Sequence, residues 1–404
     1  MRNHHDVGGE ALIPWVLAAA ILLIGTSSCS NDASVGAPTS NPTTAASGKP
    51  SPVTSPTPSP ASEAKALGIF SEVGGWIAYG NDEGIWAVNP TPGGKPAERI
   101  QLSERPGEPL AWSSDGSKLL TNRGDLSRLG PDDLVVVNSD GTETLLAHGS
   151  MYDGFSGSSF TPDGSKVIYG VTSWSPGEEW RSGIYVVDAD GGASRLLLAA
   201  GQRNYPDGTF RTALFQPTLS PDGTQIAYFD GMGDWGNSLR VMNADGSGVR
   251  VLIDQEFGHV DHLGWSSDGS RLAFNERFDG GIWIVGVDGS GPTEVVPRGG
   301  APRWSPTGSR LAFQSAGKIW IINADGSGLR EVAPVGRDPV WSPDGSRVAY
   351  LDEAPRTTRP RPPPGPLYVA DLDGTHIRTL GTLDEPPRYD RHHASRVVWI
   401  PLPL

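Results

Sequence analysis

Cysteine is all but missing. The 404 residues hold 1, Cys29, so the chain can form neither an internal disulfide nor a multi-cysteine zinc site. Basic residues are few and scattered, 32 Lys and Arg against 46 Asp and Glu, with the densest stretch at Arg356 to Arg361. A formal charge of −14 repels a polyanion, which excludes general nucleic-acid binding through phosphate contacts. No Gly-x-Ser-x-Gly occurs, no Gly-x-Gly-x-x-Gly opens a helix after a strand, and there is no phosphate loop. Serine hydrolysis and nucleotide chemistry therefore have no visible seat. What is abundant is backbone punctuation. The 53 Gly and 36 Pro make up about a fifth of the chain, against about an eighth in average usage, and argue against a helical bundle. Hydrophobic residues at 37% with 13 Trp suffice for a large core.

Arg2 precedes an apolar stretch from Ala11 to Ile24, followed by Gly25-Thr-Ser-Ser-Cys29. A charged start, an apolar run of this length and small residues before a cut describe an export signal. The segment resembles the bacterial lipoprotein signal, which implies cleavage after Ser28, lipidation of Cys29 and an extracytoplasmic location held to the membrane. An uncleaved single-span anchor is the alternative. From Ser30 to about Ser62 the sequence is almost wholly Ser, Thr, Pro, Ala, Gly and Asn. It has too little apolar surface to offset chain entropy, so residues 29–65 are expected to be a disordered, solvated tether.

Residues 66–404 are built from a repeat. Trp112-Ser-Ser-Asp-Gly-Ser-Lys-Leu-Leu120 returns at Phe160, Leu219, Trp265, Trp304 and Trp341, with spacings of 37 to 59 residues. Repeats of this period with strand-like units indicate a propeller. Pro or Ser, then Asp and Gly, form a hairpin turn between apolar strands. A second phrase alternates with the first: Ile184-Tyr-Val-Val-Asp-Ala-Asp-Gly191, Leu239-Arg-Val-Met-Asn-Ala-Asp-Gly246 and Ile319-Trp-Ile-Ile-Asn-Ala-Asp-Gly326. Two hairpins make a four-stranded antiparallel blade. Second and third strands can each be counted seven times, but inner strands only six before the C-terminus, so Arg396 to Pro401 is expected to supply the seventh and close the ring. The fold expected is all-β: a seven-bladed propeller closed by its C-terminal strand.

These phrases resemble the WD-like repeats of the TolB-type propeller family. That resemblance implies a docking platform in the cell envelope. TolB proteins join a six-bladed propeller to an N-terminal α/β domain, whereas this chain shows seven blades and a Pro-rich stalk in that place.

Recognition is expected on the face opposite the Asp-Gly hairpins, where the connections are unequal: Thr172 to Arg181, Gly201 to Thr212, Asp230 to Ser238, Asp254 to His262, Glu353 to Pro366 and Gly381 to Ala394. They carry Trp174, Trp180, Tyr205, Phe210, Trp235, Phe257 and Tyr389, aromatics able to stack on sugars or anchor a protein partner, or else to plug the loop layer. His259 and His393 each stand six residues before an inner-strand Trp, with Asp261 and His262 nearby, a set that suits a divalent metal. Oligogalacturonate lyases resemble this repeat, and that resemblance implies a metal on this kind of face. The Asp-rich turns lack the ligand series of a calcium loop, and ordinary turn chemistry accounts for them. The expected function is a monomeric scaffold, anchored to the membrane by lipid, that binds a protein or glycan partner in the cell envelope with no cofactor, no nucleic acid and no catalysis. The alternative is a lyase or hydrolase acting on carbohydrate through a metal held by His259, His262 and His393.

Overall fold

Each copy of the first phrase is a tight turn that the sequence closes on itself. At Trp265 the Ser266 hydroxyl donates to Asp268 Oδ1 at 2.6 Å, and that oxygen also accepts the Ser270 N–H at 3.0 Å. The Arg271 N–H returns to Ser266 Oγ at 3.0 Å. The same bonds recur around Asp115, Asp163, Asp222 and Asp344. Where Thr307 replaces the aspartate, its hydroxyl links Ser305 at 3.2 Å and Ser309 at 2.8 Å. The glycine that follows is left-handed in every copy, φ between 67° and 73°, and from the third blade onward it faces the preceding blade's turn: a Cβ on Gly223 would lie 2.9 Å from Pro162.

These turns predict an acid sensitivity. The Ser266 hydroxyl and then the Ser270 N–H stabilise the Asp268 carboxylate and lower its pKa to about 2; Thr161 and Ser165 do the same for Asp163. A carboxyl depressed in the folded state contributes stability that is present above its unfolded value and lost as pH falls through its folded one. Urea midpoints should therefore be flat above about pH 4 and fall toward about pH 2. Asp268→Asn should be less stable than its parent at neutral pH, with the difference closing by about pH 2. A difference that persists at that pH would contradict this account of the turn.

The computed structural model describes residues 76–81, 84–88, 99–123, 132–150, 153–173, 181–205, 208–232, 236–276, 280–352, 366–381 and 397–399. Their strands form seven four-stranded antiparallel sheets in a ring, with one further two-stranded sheet. The fourth blade shows the plan, from inside outward: Ala213–Leu219, Gln225–Gly231, Asn237–Asn243 and Arg250–Phe257. Inner strands end at Trp112, Phe160, Leu219, Trp265, Trp304 and Trp341, as the repeat implied. The first blade takes its inner strand from the chain's end: Val397–Trp399 pairs antiparallel with Ile77–Asn81, with Ile77 opposite Trp399, Ala78 opposite Val398 and Tyr79 opposite Val397. The ring is closed by its C-terminal strand.

The core lies between blades. The first apolar residue of each second strand, Ile77, Leu119, Val167, Ile226, Leu272, Leu311 or Val348, is fully buried. Indoles of the later blades wedge against the blade before and bond to it. Trp265 Nε1 donates to the Thr218 carbonyl at 3.0 Å, Trp304 to Gly264 at 3.1 Å and Trp341 to Arg303 at 2.9 Å. Arg271 lies over the Trp304 ring at 5.2 Å and Arg310 over Trp341 at 5.5 Å, so the basic residue of one repeat covers the tryptophan of the next.

Two segments expected as irregular connections are strands. Asp254 to His262 continues the outer strand to Phe257, turns at Gly258 and His259, and enters the inner strand Val260–Trp265. Within Gly201 to Thr212, Gln202–Tyr205 pairs with Gly208–Arg211 as a hairpin.

Candidate functional site

Antiparallel alternation sends every inner-to-second turn to one face of the ring and starts every inner strand at the other. At that second face, the mouth of the channel, the inner strands share an irregularity. Pairing to the second strand skips two residues between Ser156 and Ser159, Phe215 and Thr218, Asp261 and Gly264, Gly300 and Arg303, and Arg337 and Val340. Each bulge holds a left-handed residue three positions before the strand's last: Gly157, Gln216, His262, Ala301 and Asp338, with φ between 51° and 56°. Glycine occupies the position once. The other four accept a conformation that costs a side-chain-bearing residue on the order of 1 to 3 kcal/mol and that clusters at functional sites.

Neighbouring blades hold these bulges in place. Ser156 Oγ accepts the Gln216 N–H at 3.2 Å, and Gln216 Oε1 accepts the Leu263 N–H at 3.1 Å. Asn275 Oδ1 accepts the Ala301 N–H at 3.3 Å, and Gln314 Oε1 accepts the Asp338 N–H at 2.9 Å. Four successive interfaces, from the third blade to the seventh, are thus clasped by a polar side chain reaching a bulge. Gln216 does more: its Nε2 donates to Asp261 Oδ1 at 3.0 Å, fixing that carboxylate. His259 Nε2 lies 3.9 Å from the same oxygen, with the two side chains 22% and 15% exposed. Asp338 pairs with Arg337 at 2.5 Å, and both are largely buried. The mouth is therefore a rigid polar rim whose composition changes from blade to blade.

The sequence-derived candidates fall in several places. His262 is the bulge residue of the fifth blade and His259 sits in the turn before it. Tyr205 and Phe210 lie in the strands of the extra hairpin. Phe257 is not a rim aromatic: it ends the outer strand, is 2% exposed, and packs edge-on to Phe274 at 5.0 Å and Trp283 at 5.6 Å. Its alternation with Ile253 along the outer strand points it into the core. Trp174, Trp180, Trp235, Tyr389, His393 and Cys29 lie outside the described residues. So do the leader 1–28 and the tether 29–65. Among the described residues, the three metal-ligating groups that come within 4.8 Å of one another are Asp371, Asp373 and His376, on an Asp-Gly turn of the seventh blade. Their oxygens and nitrogen are engaged locally: Asp373 accepts the Thr375 N–H at 2.9 Å, and His376 Nδ1 lies 3.2 Å from Asp371. Sequence reasoning missed Gln216, Asn275, Gln314 and Asp338. For Gln216 and Asp338 the available signal was the changing residue three positions before each inner-strand end; Asn275 and Gln314 stand instead near the ends of second strands.

No protein-family model matches the chain. It is 30% identical over 158 residues to the protein TolB homolog of Chlorobium luteolum, a match covering 38% of this chain and 32% of that protein. The chain thus spans about a third of the curated relative's length. Among solved structures, an oligogalacturonate lyase in complex with manganese superposes with a TM-score of 0.53 at 15% identity, over 78% of this chain and 87% of the lyase. An oligogalacturonate lyase from Vibrio parahaemolyticus gives 0.52 at 14%, over 77% and 87%. Likeness at such identity shows the propeller fold alone. The repeat phrases and the ring of seven sheets make the chain a seven-bladed β-propeller, similar in sequence over 158 residues to the TolB homolog.

Proposed function

We propose that this chain is an extracytoplasmic, membrane-anchored scaffold that binds a protein or glycan partner at the mouth of its propeller and catalyses no reaction. The observation that carries the reading is the contrast between the two faces. One face repeats the same self-satisfied turn, whereas the other holds Gln216, His262, Ala301 and Asp338 in a left-handed conformation that glycine fills in the third blade, with neighbouring side chains bracing the bulges. Variation on a rigid frame is the arrangement recognition uses. A photoreactive residue placed at His262 or Asp338 in the native envelope should crosslink a partner, and one at Asp163 or Ser346 should not. Crosslinks from the turn face alone would overturn the reading.

The proximity of His259 to Asp261 at the mouth favours a second reading, a carbohydrate lyase or hydrolase using a divalent metal held by His259, His262 and His393. Metal analysis of the purified chain separates the two. Stoichiometric manganese, zinc or calcium that is lost in the His259→Ala, His393→Ala double variant would establish the second; a metal-free chain with its fold intact would remove it.

A further inference from the structure

The Asp-Gly pair that makes both kinds of turn is also open to self-modification, because glycine has no side chain to shield its nitrogen from the preceding carboxyl. The fold guards these pairs unequally. Asp115, Asp163, Asp245, Asp268, Asp325 and Asp373 each accept the N–H two residues on, at 2.9 to 3.0 Å. That residue is Ser or Thr each time, and its hydroxyl also bonds the carboxylate of Asp115, Asp163, Asp268, Asp325 and Asp373. Such bonds pin the side chain and favour its ionised form, holding the Asp163 and Asp268 carboxyls down to about 2. Imide formation runs through the protonated carboxyl, which must leave as water, so pinning and ionisation both oppose it.

Asp190-Gly191-Gly192, on the third blade, breaks this pattern. Gly192 has no hydroxyl, and among the described residues the one polar contact of the Asp190 side chain is Lys118 Nζ of the second blade, 3.3 Å away. The side chain is 87% exposed. Corresponding turns are closed by a second backbone bond, from the N–H of Asn138, Asn243 or Asn323 to the carbonyl four residues on at 2.8 to 2.9 Å. The turn at Asp188 shares with them the bond from the glycine N–H, Gly191 to the Asp188 carbonyl at 2.9 Å, and lacks the second. Gly191 and Gly192 both have positive φ, 94° and 126°, and a Cβ on Gly192 would meet nothing within 4 Å, so the segment has room to rearrange.

We propose that Asp190 is a site of spontaneous isomerisation to isoaspartate, and that the Ser or Thr two residues on spares the other turns. The Gly191 nitrogen attacks Asp190 Cγ and loses its proton, the carboxyl hydroxyl departs as water, and a succinimide forms. Hydrolysis at the α-carbonyl takes one water back, frees an α-carboxylate and leaves the main chain running through Cβ and Cγ. The charge is kept, but the chain is one methylene longer, and the contact with Lys118 between the second and third blades is lost.

Ageing the folded full chain at neutral pH, followed by peptide mapping and enzymatic methylation of isoaspartate, tests this. Isoaspartate should accumulate at Asp190 about tenfold faster than at Asp163, Asp245 or Asp325. Asp190→Glu keeps the charge and should abolish the signal, since closure would then need a six-membered imide. Ser247→Gly gives the fourth blade's turn the same Asp-Gly-Gly composition and should raise the rate at Asp245 about fivefold while the melting temperature holds. In urea, where the turns are gone, all these sites should react at similar rates. Equal rates at Asp190 and Asp163 in the folded chain, an unchanged Asp245 in Ser247→Gly, or a preference for Asp190 that persists undiminished in urea overturns the proposal.

Discussion

Removing residues 396 to 404 should leave a chain that is insoluble or melts about 10 °C or more below its parent. The deletion takes away Val397–Trp399, the inner strand of the first blade, and bares the edge of Ile77–Asn81. Trp76, Ile77 and Ala78, each no more than 1% exposed, would lose their cover, as would the cluster that packs against Val398. Opening a buried site of that size costs about 3 to 5 kcal/mol, a large part of the 5 to 15 kcal/mol a domain usually has. The exposed strand is also a template for aggregation. Circular dichroism melting of the deleted chain checks this, and a midpoint within about 2 °C of the parent would show that the ring does not depend on its last strand.

Trp265→Ala should destabilise the protein by about 3 to 5 kcal/mol in urea unfolding. The indole belongs to a buried core cluster with Phe229, Leu272 and Phe274, and bridges the fourth and fifth blades through the Thr218 carbonyl. Removing it opens a void at a blade interface and leaves that carbonyl without its donor. Trp265→Phe keeps most of the volume and should cost only about 1 kcal/mol beyond the lost contacts, since the hydrogen bond alone has that net value. Phe160 and Leu219 hold the equivalent place in the third and fourth blades with no N–H to give, so the wedge rather than the bond is what the fold requires. An alanine variant within about 1 kcal/mol of its parent would contradict this.

Blade number and strand ends were legible because the Asp-Gly turn is local chemistry: Ser, Asp and Gly within five residues close it wherever they occur. Ring closure was legible for a different reason, as a count of strand roles that left Val397–Trp399 as the missing partner. The mouth was not. Gln216 in one blade is recognisable as a clasp only once Leu263 and Asp261 of the next stand beside it, 45 to 47 residues away in sequence. Phe257 was misplaced because Gly258 and His259 make a sharper turn than the surrounding polar residues suggested, which leaves the aromatic at the end of a strand and inside the core. The tolerance of asparagine, glutamine and serine for reaching a neighbour's N–H leaves no fixed spacing to read.

Hydrogen exchange at the ends of the chain tests the closed ring most directly. Amides of Val397–Trp399 and those of Ile77–Tyr79 that face them should exchange together, at the rate of global unfolding, because they bond across the one ladder that closes the ring, while Ile77–Asn81 is held on its other side by Gly84–Val88. Exchange of 397–399 within seconds beside a protected 77–81 would mean that the last strand is not part of the ring.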